Sequence, residues 1–220
     1  MSAPAFIPGL WCATNRRDDN TCVPALACKA MVVDWATPKT ERQLLTGYEV
    51  RPSTSGDLPV IRQLLRDYVA WIGLDLAFQE IDAEINGLPG EYAPPRGLLL
   101  VACQQGAKPV AMIGLRPLDS ACLADLSTVA SGEGGSARSA KAAEMKRLYV
   151  APAARGKGLA RTLILRLLDE ARSLGYRELR LDTLPMMGNA QALYASMGFT
   201  DIAPYYDTPI RGTRFMAMRL

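Results

Sequence analysis

The sequence predicts an α/β fold of the mixed (α+β) kind, and three observations carry that prediction. Two apolar runs, Gly97–Cys103 and Pro109–Leu115, flank Gln104-Gln-Gly-Ala-Lys108, the pattern of a β-hairpin. From Glu144 to Met197, strand-like and helix-like segments alternate. A hairpin joined to a strand–helix–strand–helix run calls for a sheet of mixed direction covered by helices.

The elements follow in chain order. Residues 1–47 lack periodicity; their prolines, scattered cysteines and the polar run Asn15–Asn20 read as a poorly ordered N-terminal extension. The domain spans 48–220 and opens with a short strand at Tyr48-Glu-Val-Arg-Pro52. Asp57-Leu-Pro59 starts a helix, with Asp57 expected to cap its free N–H groups and Pro59 in the first turn. Ile61, Leu64, Leu65, Tyr68, Val69 and Ile72 then recur at helical spacing. A shorter helix is expected within Phe78–Gly87, and the hairpin follows.

A flexible insertion covers 119–143, marked by Ser131-Gly-Glu-Gly-Gly-Ser136. Beyond it come a strand at Glu144–Val150, a helix at Leu159–Leu174 stopped by Gly175, and a strand at Arg177–Thr183. A short helix at Asn189–Met197 closes on Gly198, and two final strands start at Phe199 and Arg214.

Composition removes several functions. There is no histidine, so Ser-His-Asp hydrolases, Cys-His proteases and histidine-ligated zinc sites are excluded. Proton transfer then falls to carboxylates, Tyr, Cys, Lys, main-chain groups or water. The five cysteines form no CxxC pair, so neither a disulfide framework nor a metal site is indicated, and reduced thiols in a cytoplasmic setting are expected. No apolar run reaches the about 18 residues of a membrane helix, and the start does not read as a secretion signal. A net charge of +3 without a basic–aromatic array does not argue for nucleic acid.

The segment Leu148-Tyr-Val-Ala-Pro-Ala-Ala-Arg-Gly-Lys-Gly-Leu-Ala-Arg161 is a strand, a glycine turn and a helix start. Such a turn aims successive N–H groups at one spot, where the helix dipole adds positive charge. Gly156 and Gly158 admit a bulky anion, and Arg155, Lys157 and Arg161 add full charges. A Walker loop fails because Leu159 stands where Lys is needed, and a dinucleotide fingerprint fails because Arg161 replaces the third glycine.

Arg155-Gly-Lys-Gly-Leu-Ala160 resembles the Arg/Gln-x-x-Gly-x-Gly/Ala signature of the GNAT acyltransferase superfamily. The likeness extends to Glu144–Val150, to Leu181-Asp-Thr183 and to Asn189–Phe199, and covers Tyr48–Leu220 apart from the insertion. It implies a mostly antiparallel central sheet flanked by helices with a splayed central strand pair. It also implies N-acetyl transfer from acetyl-CoA, by direct attack, to an amine of a small metabolite or protein. A non-catalytic acyl-CoA sensor on the same fold is the alternative, and a homodimer is among the assemblies the sequence admits.

The resemblance also assigns residues. Main-chain groups of Leu148 and Val150 would pair with the pantetheine arm, and an N–H near Leu148 or Tyr149 would face the thioester carbonyl. The pyrophosphate would rest on Arg155, Gly156, Lys157, Gly158, Leu159 and Ala160, beside Arg161. Tyr194 matches the tyrosine near the leaving sulfur, while Asn189 would either touch the cofactor arm or cap its helix. An alkylamine, with a pKa of about 10, needs a base at neutral pH, and Glu144 is the first candidate with Glu80 and Glu84 behind it. Tyr205, Tyr206 and Arg211 would border the acceptor pocket.

Overall fold

The computed structural model describes residues 47–74, 80–118 and 141–220. Nearly all of the predicted extension, most of the insertion and the Phe78 start of the second helix lie outside these residues. The strands are β1 (Tyr48–Pro52), β2 (Leu98–Gln104), β3 (Pro109–Pro117), β4 (Ala142–Val150), β5 (Glu178–Thr183), β6 (Thr200–Ile202) and β7 (Arg214–Arg219). The helices are α1 (Leu58–Ile72), α2 (Ile81–Gly87), α3 (Leu159–Ser173) and α4 (Gly188–Ser196). The strands form one sheet in the order β1-β2-β3-β4-β5-β7-β6. Its pairings are antiparallel except for β4 with β5.

Strand β2 shows why the sheet has two covered faces. Leu98, Leu100 and Ala102 pack with Leu163, Ile164 and Leu167 of α3, whereas Leu99, Val101 and Cys103 pack with Ile61, Leu64 and Leu65 of α1. Because successive side chains point to opposite faces, a strand buried on both reads as an unbroken apolar run. Burying a Leu or Ile side chain contributes about 1.5–3 kcal/mol, so these two layers hold the sheet between the helices. Among the described residues no helix is long and apolar enough to cross a membrane.

Two features position the site. Strands β4 and β5 pair only at Ala142–Glu178, Ala143–Leu179 and Glu144–Arg180. Beyond Glu144 they part, while β5 stays paired with β7 along its whole length. The second feature is a bulge in β4. Met112 stands opposite Tyr149 and Gly114 opposite Lys146, so Arg147 and Leu148 share the single partner position of Ile113.

The structure corrects two expectations. Ala142 and Ala143, placed in the insertion, already belong to β4, because pairing with β3 and β5 supplies the order their sequence does not announce. Asp57 does not cap α1. Its carboxylate instead accepts from both Arg51 guanidinium nitrogens (2.7 and 3.0 Å) and from the Thr54 N–H and hydroxyl (2.7 and 2.8 Å). Those hydrogen bonds, that from Arg51 foremost, hold the Asp57 carboxyl well below the usual carboxylate range despite its burial. Asp57→Ala is therefore expected to lower stability by about 1.5–3 kcal/mol in urea unfolding at pH 7. Because the folded-state value is depressed, this contribution is present above the ordinary carboxylate value, about pH 4, and fades as the pH falls further.

Candidate active site

Where β4 and β5 part, a cleft of about 430 Å³ opens, a size suited to a small-molecule arm. Main-chain groups of β4 beyond Glu144 that face this gap have no strand partner there. The α3 N-terminus stands at the cleft, with α4 and the preceding segment along it and the end of α1 opposite. Trp71 and Met186, 51% and 57% exposed, both line it.

The turn before α3 presents open backbone. Gly156 and Gly158 both have φ of 76°, a conformation open to glycine and costly for other residues. A Cβ added at Gly156 would meet no atom within 4 Å, so bare backbone faces open space. Gly158 is the N-cap of α3, leaving the first N–H groups of the helix unpaired within it. These groups, with Arg155 and Arg161 beside them in the cleft wall, fit a pyrophosphate.

Arg155 Nε donates to the Val150 carbonyl (3.0 Å), and its guanidinium lies 5.0 Å over the Trp71 ring. Lys157 turns elsewhere. Its ammonium donates to the Tyr48 hydroxyl at 2.8 Å, and its side chain does not line the cleft. Leu148, Tyr149, Val150, Leu159 and Ala160 do line it.

Helix α4 brings two of the predicted residues to the cleft. Tyr194 lines it at 7% exposure, packed edge-on against Phe199 with ring centres 6.0 Å apart. Burial pushes its hydroxyl well above the ordinary tyrosine value, so the group keeps its proton at neutral pH. Asn189 also lines the cleft; it is the second residue of α4 and makes no side-chain cap, because the helix begins at Gly188.

The other face of the gap carries a charged layer. Lys146 reaches across from β4 to Asp182 on β5 (2.5 Å) and approaches Glu144 at 3.2 Å. Burial raises the Asp182 carboxyl, but the Lys146 ammonium outweighs it and the net shift is downward. Glu144 is 1% exposed, accepts from Arg116 Nε (2.8 Å) and from the Tyr205 hydroxyl (2.6 Å), and does not line the cleft. Tyr206 stacks edge-on with Tyr205 and Phe215 beneath the Lys146 ammonium.

Glu84 is likewise held by Arg147 and stands off the cleft wall, while Glu80 and Arg211 are exposed outside it. The carboxylate that the structure does bring to the cleft is Asp182, which the sequence reading passed over. Its signal was weak: one polar residue in an alternating strand reads as the wet face of a sheet. Tyr68 and Trp71, on the last turns of α1, join the cleft wall in the same way.

The sheet thus splits beside its parallel strand pair, and the start of α3 with its glycine turn stands at the opening. The chain belongs to the acetyltransferase (GNAT) family, whose profile matches residues 59–199. It is similar to an uncharacterised N-acetyltransferase of Schizosaccharomyces pombe, 32% identical over 164 residues, 74% of this chain and 89% of that one. It is also similar to an uncharacterised N-acetyltransferase of Escherichia coli, 28% identical over 155 residues and covering 70% and 82% of the two chains. In fold it resembles a GNAT-family acetyltransferase of Staphylococcus aureus (TM-score 0.59, 14% identity, 78% of this chain and 98% of that one). It also resembles in fold Arabidopsis thaliana NAA60 in complex with acetyl-CoA (TM-score 0.56, 16% identity, 79% of this chain and 98% of that one).

Proposed function

We propose that residues 48–220 transfer an acetyl group from acetyl-CoA directly to an amine of a small metabolite or protein. The observation that carries this reading is the β4–β5 gap, with the cationic glycine turn at its opening and Tyr194 in its wall. The family relation and the acetyl-CoA complex of a similar fold support the donor. The cytoplasm is the setting proposed, on the thiol content of the sequence.

Acetyl-CoA supplies an activated acyl thioester. The N–H groups from Arg155 to Ala160 hold its phosphates with Arg155 and Arg161, and the unpaired edge of β4 holds its arm. A β4 main-chain N–H donates to the thioester oxygen, where negative charge grows. The Tyr194 hydroxyl, protonated through the neutral range, donates to the departing sulfur. Asp182, in the cleft wall, attracts the incoming ammonium, and the proton of that group leaves through water.

Calorimetric titration with acetyl-CoA, followed by thiol release over an amine panel, tests the reading. Saturable binding and acceptor-dependent release are expected. Binding without turnover on any amine would turn the reading toward a sensor, and no binding would overturn both. Asp182→Asn is expected to lower kcat/KM for the amine on the order of 100-fold while leaving acetyl-CoA affinity within about twofold. Equal kcat/KM in the two proteins would take Asp182 out of the mechanism.

A further inference from the structure

The β4 bulge sets the direction of the main chain at the gap, and its backbone is strained. Arg147 has φ of 60°, in the left-handed region that L residues with a side chain adopt at a steric cost. Such a conformation persists where its surroundings over-determine it. Here they do. Arg147 Nε donates to Glu84 Oε1 (2.8 Å) and Nη2 to Glu84 Oε2 (2.7 Å), a two-point fork from β4 to α2.

The same carboxylate is held from behind. The Tyr92 hydroxyl donates to Glu84 Oε1 at 2.9 Å, and Tyr92 is 3% exposed. Its ring lies on Gly114, the β3 residue opposite Lys146 at the edge of the bulge. A Cβ at Gly114 would sit 2.6 Å from Tyr92 Cε1, so only glycine there admits the ring. The chain from Gly114 through Tyr92 and Glu84 to Arg147 thus begins and ends at the bulge.

A buried ion pair is a poor device for stability, since well-packed apolar residues of similar volume serve as well or better. It is a good device for direction, because a planar fork on a carboxylate fixes both distance and angle. We infer that Glu84, Arg147 and Tyr92 form a positioning clamp that holds the β4 bulge and so aims the main-chain donor at the thioester oxygen. The inference rests on the acetyl-CoA reading above. It also places Glu84, on the helix expected beside the acceptor, in control of donor geometry without contact with either substrate.

The test uses the full chain and acetyl-CoA labelled with ¹³C at the thioester carbonyl. In the wild type a downfield carbonyl shift on binding is expected, the signature of a hydrogen-bonded oxygen. Glu84→Gln is expected to lose more than half of that shift and about 100-fold in kcat, with acetyl-CoA affinity within about threefold. Tyr92→Phe, which removes a single hydroxyl, loses a few-fold, and Arg147→Lys, which keeps charge without the fork, falls between. The pair Glu84→Met with Arg147→Met leaves no unpaired buried charge, so it reports on geometry where Glu84→Gln alone fails to fold.

A folded variant lacking the clamp with wild-type carbonyl shift and kcat would overturn the inference while leaving the acetyl-CoA reading intact. A wild type that binds acetyl-CoA with no carbonyl shift would overturn the inference together with the β4 N–H contact to the thioester, while leaving acetyl-CoA as the donor. A wild type that binds no acetyl-CoA would take down both.

Discussion

Gly158→Val is expected to weaken acetyl-CoA binding by about 30- to 100-fold in calorimetry. The residue holds φ of 76° at the N-cap of α3, where a β-branched side chain is a conformational outlier. Forcing that conformation costs about 1–3 kcal/mol, and relaxing it turns the first N–H groups of the helix away from the phosphates. Either way the anion site degrades. The helix itself keeps its buried stripe of Leu159, Leu163, Ile164 and Leu167, so the thermal midpoint should fall by only a few degrees. Gly158→Ala, without the β-branch, should lose less. Wild-type affinity in the valine variant would contradict the assignment of this turn to the donor phosphates.

Tyr194→Phe is expected to lower kcat by about 100-fold with acetyl-CoA affinity unchanged. The ring is the packing element, and phenylalanine preserves its edge-on contact with Phe199, so stability should be retained. The hydroxyl makes no side-chain hydrogen bond among the described residues, which leaves it to the contents of the cleft. Because burial raises its titration above the ordinary tyrosine value, rising pH removes the proton later than from a free tyrosine. The wild-type rate should therefore show no loss from this group between pH 7 and about 10. An unaltered kcat in the phenylalanine variant would reduce Tyr194 to a core residue.

The two variants probe different depths of legibility. Gly158 was readable because the demand for positive φ and for bare N–H groups is local to one turn. Tyr194 became a candidate only through its resemblance context, since a tyrosine on a short helix is as often a packing residue, and the structure brings it to the cleft wall. Glu144 was legible as a candidate base, but its surroundings were not, for a physical reason. A carboxylate early in the cofactor strand is visible in sequence, but Arg116 lies 28 residues away and Tyr205 lies 61, and these partners wrap it.

The sequence alone determined what depends on near neighbours. The two-sided apolar run of β2, the stripe of α3 and the glycine turn before it each follow from periods and residue types close together in the chain. Tertiary structure decided what depends on distant partners. It placed β7 between β5 and β6, ended the β4–β5 pairing at Glu144, and drew Lys157 to Tyr48 across 109 residues. It also gave Asp182 to the cleft and tied Arg147 to Glu84 across 63 residues. A side chain carries its charge wherever it sits, but its partner and its solvent exposure are set by pairing and packing between segments far apart in the chain.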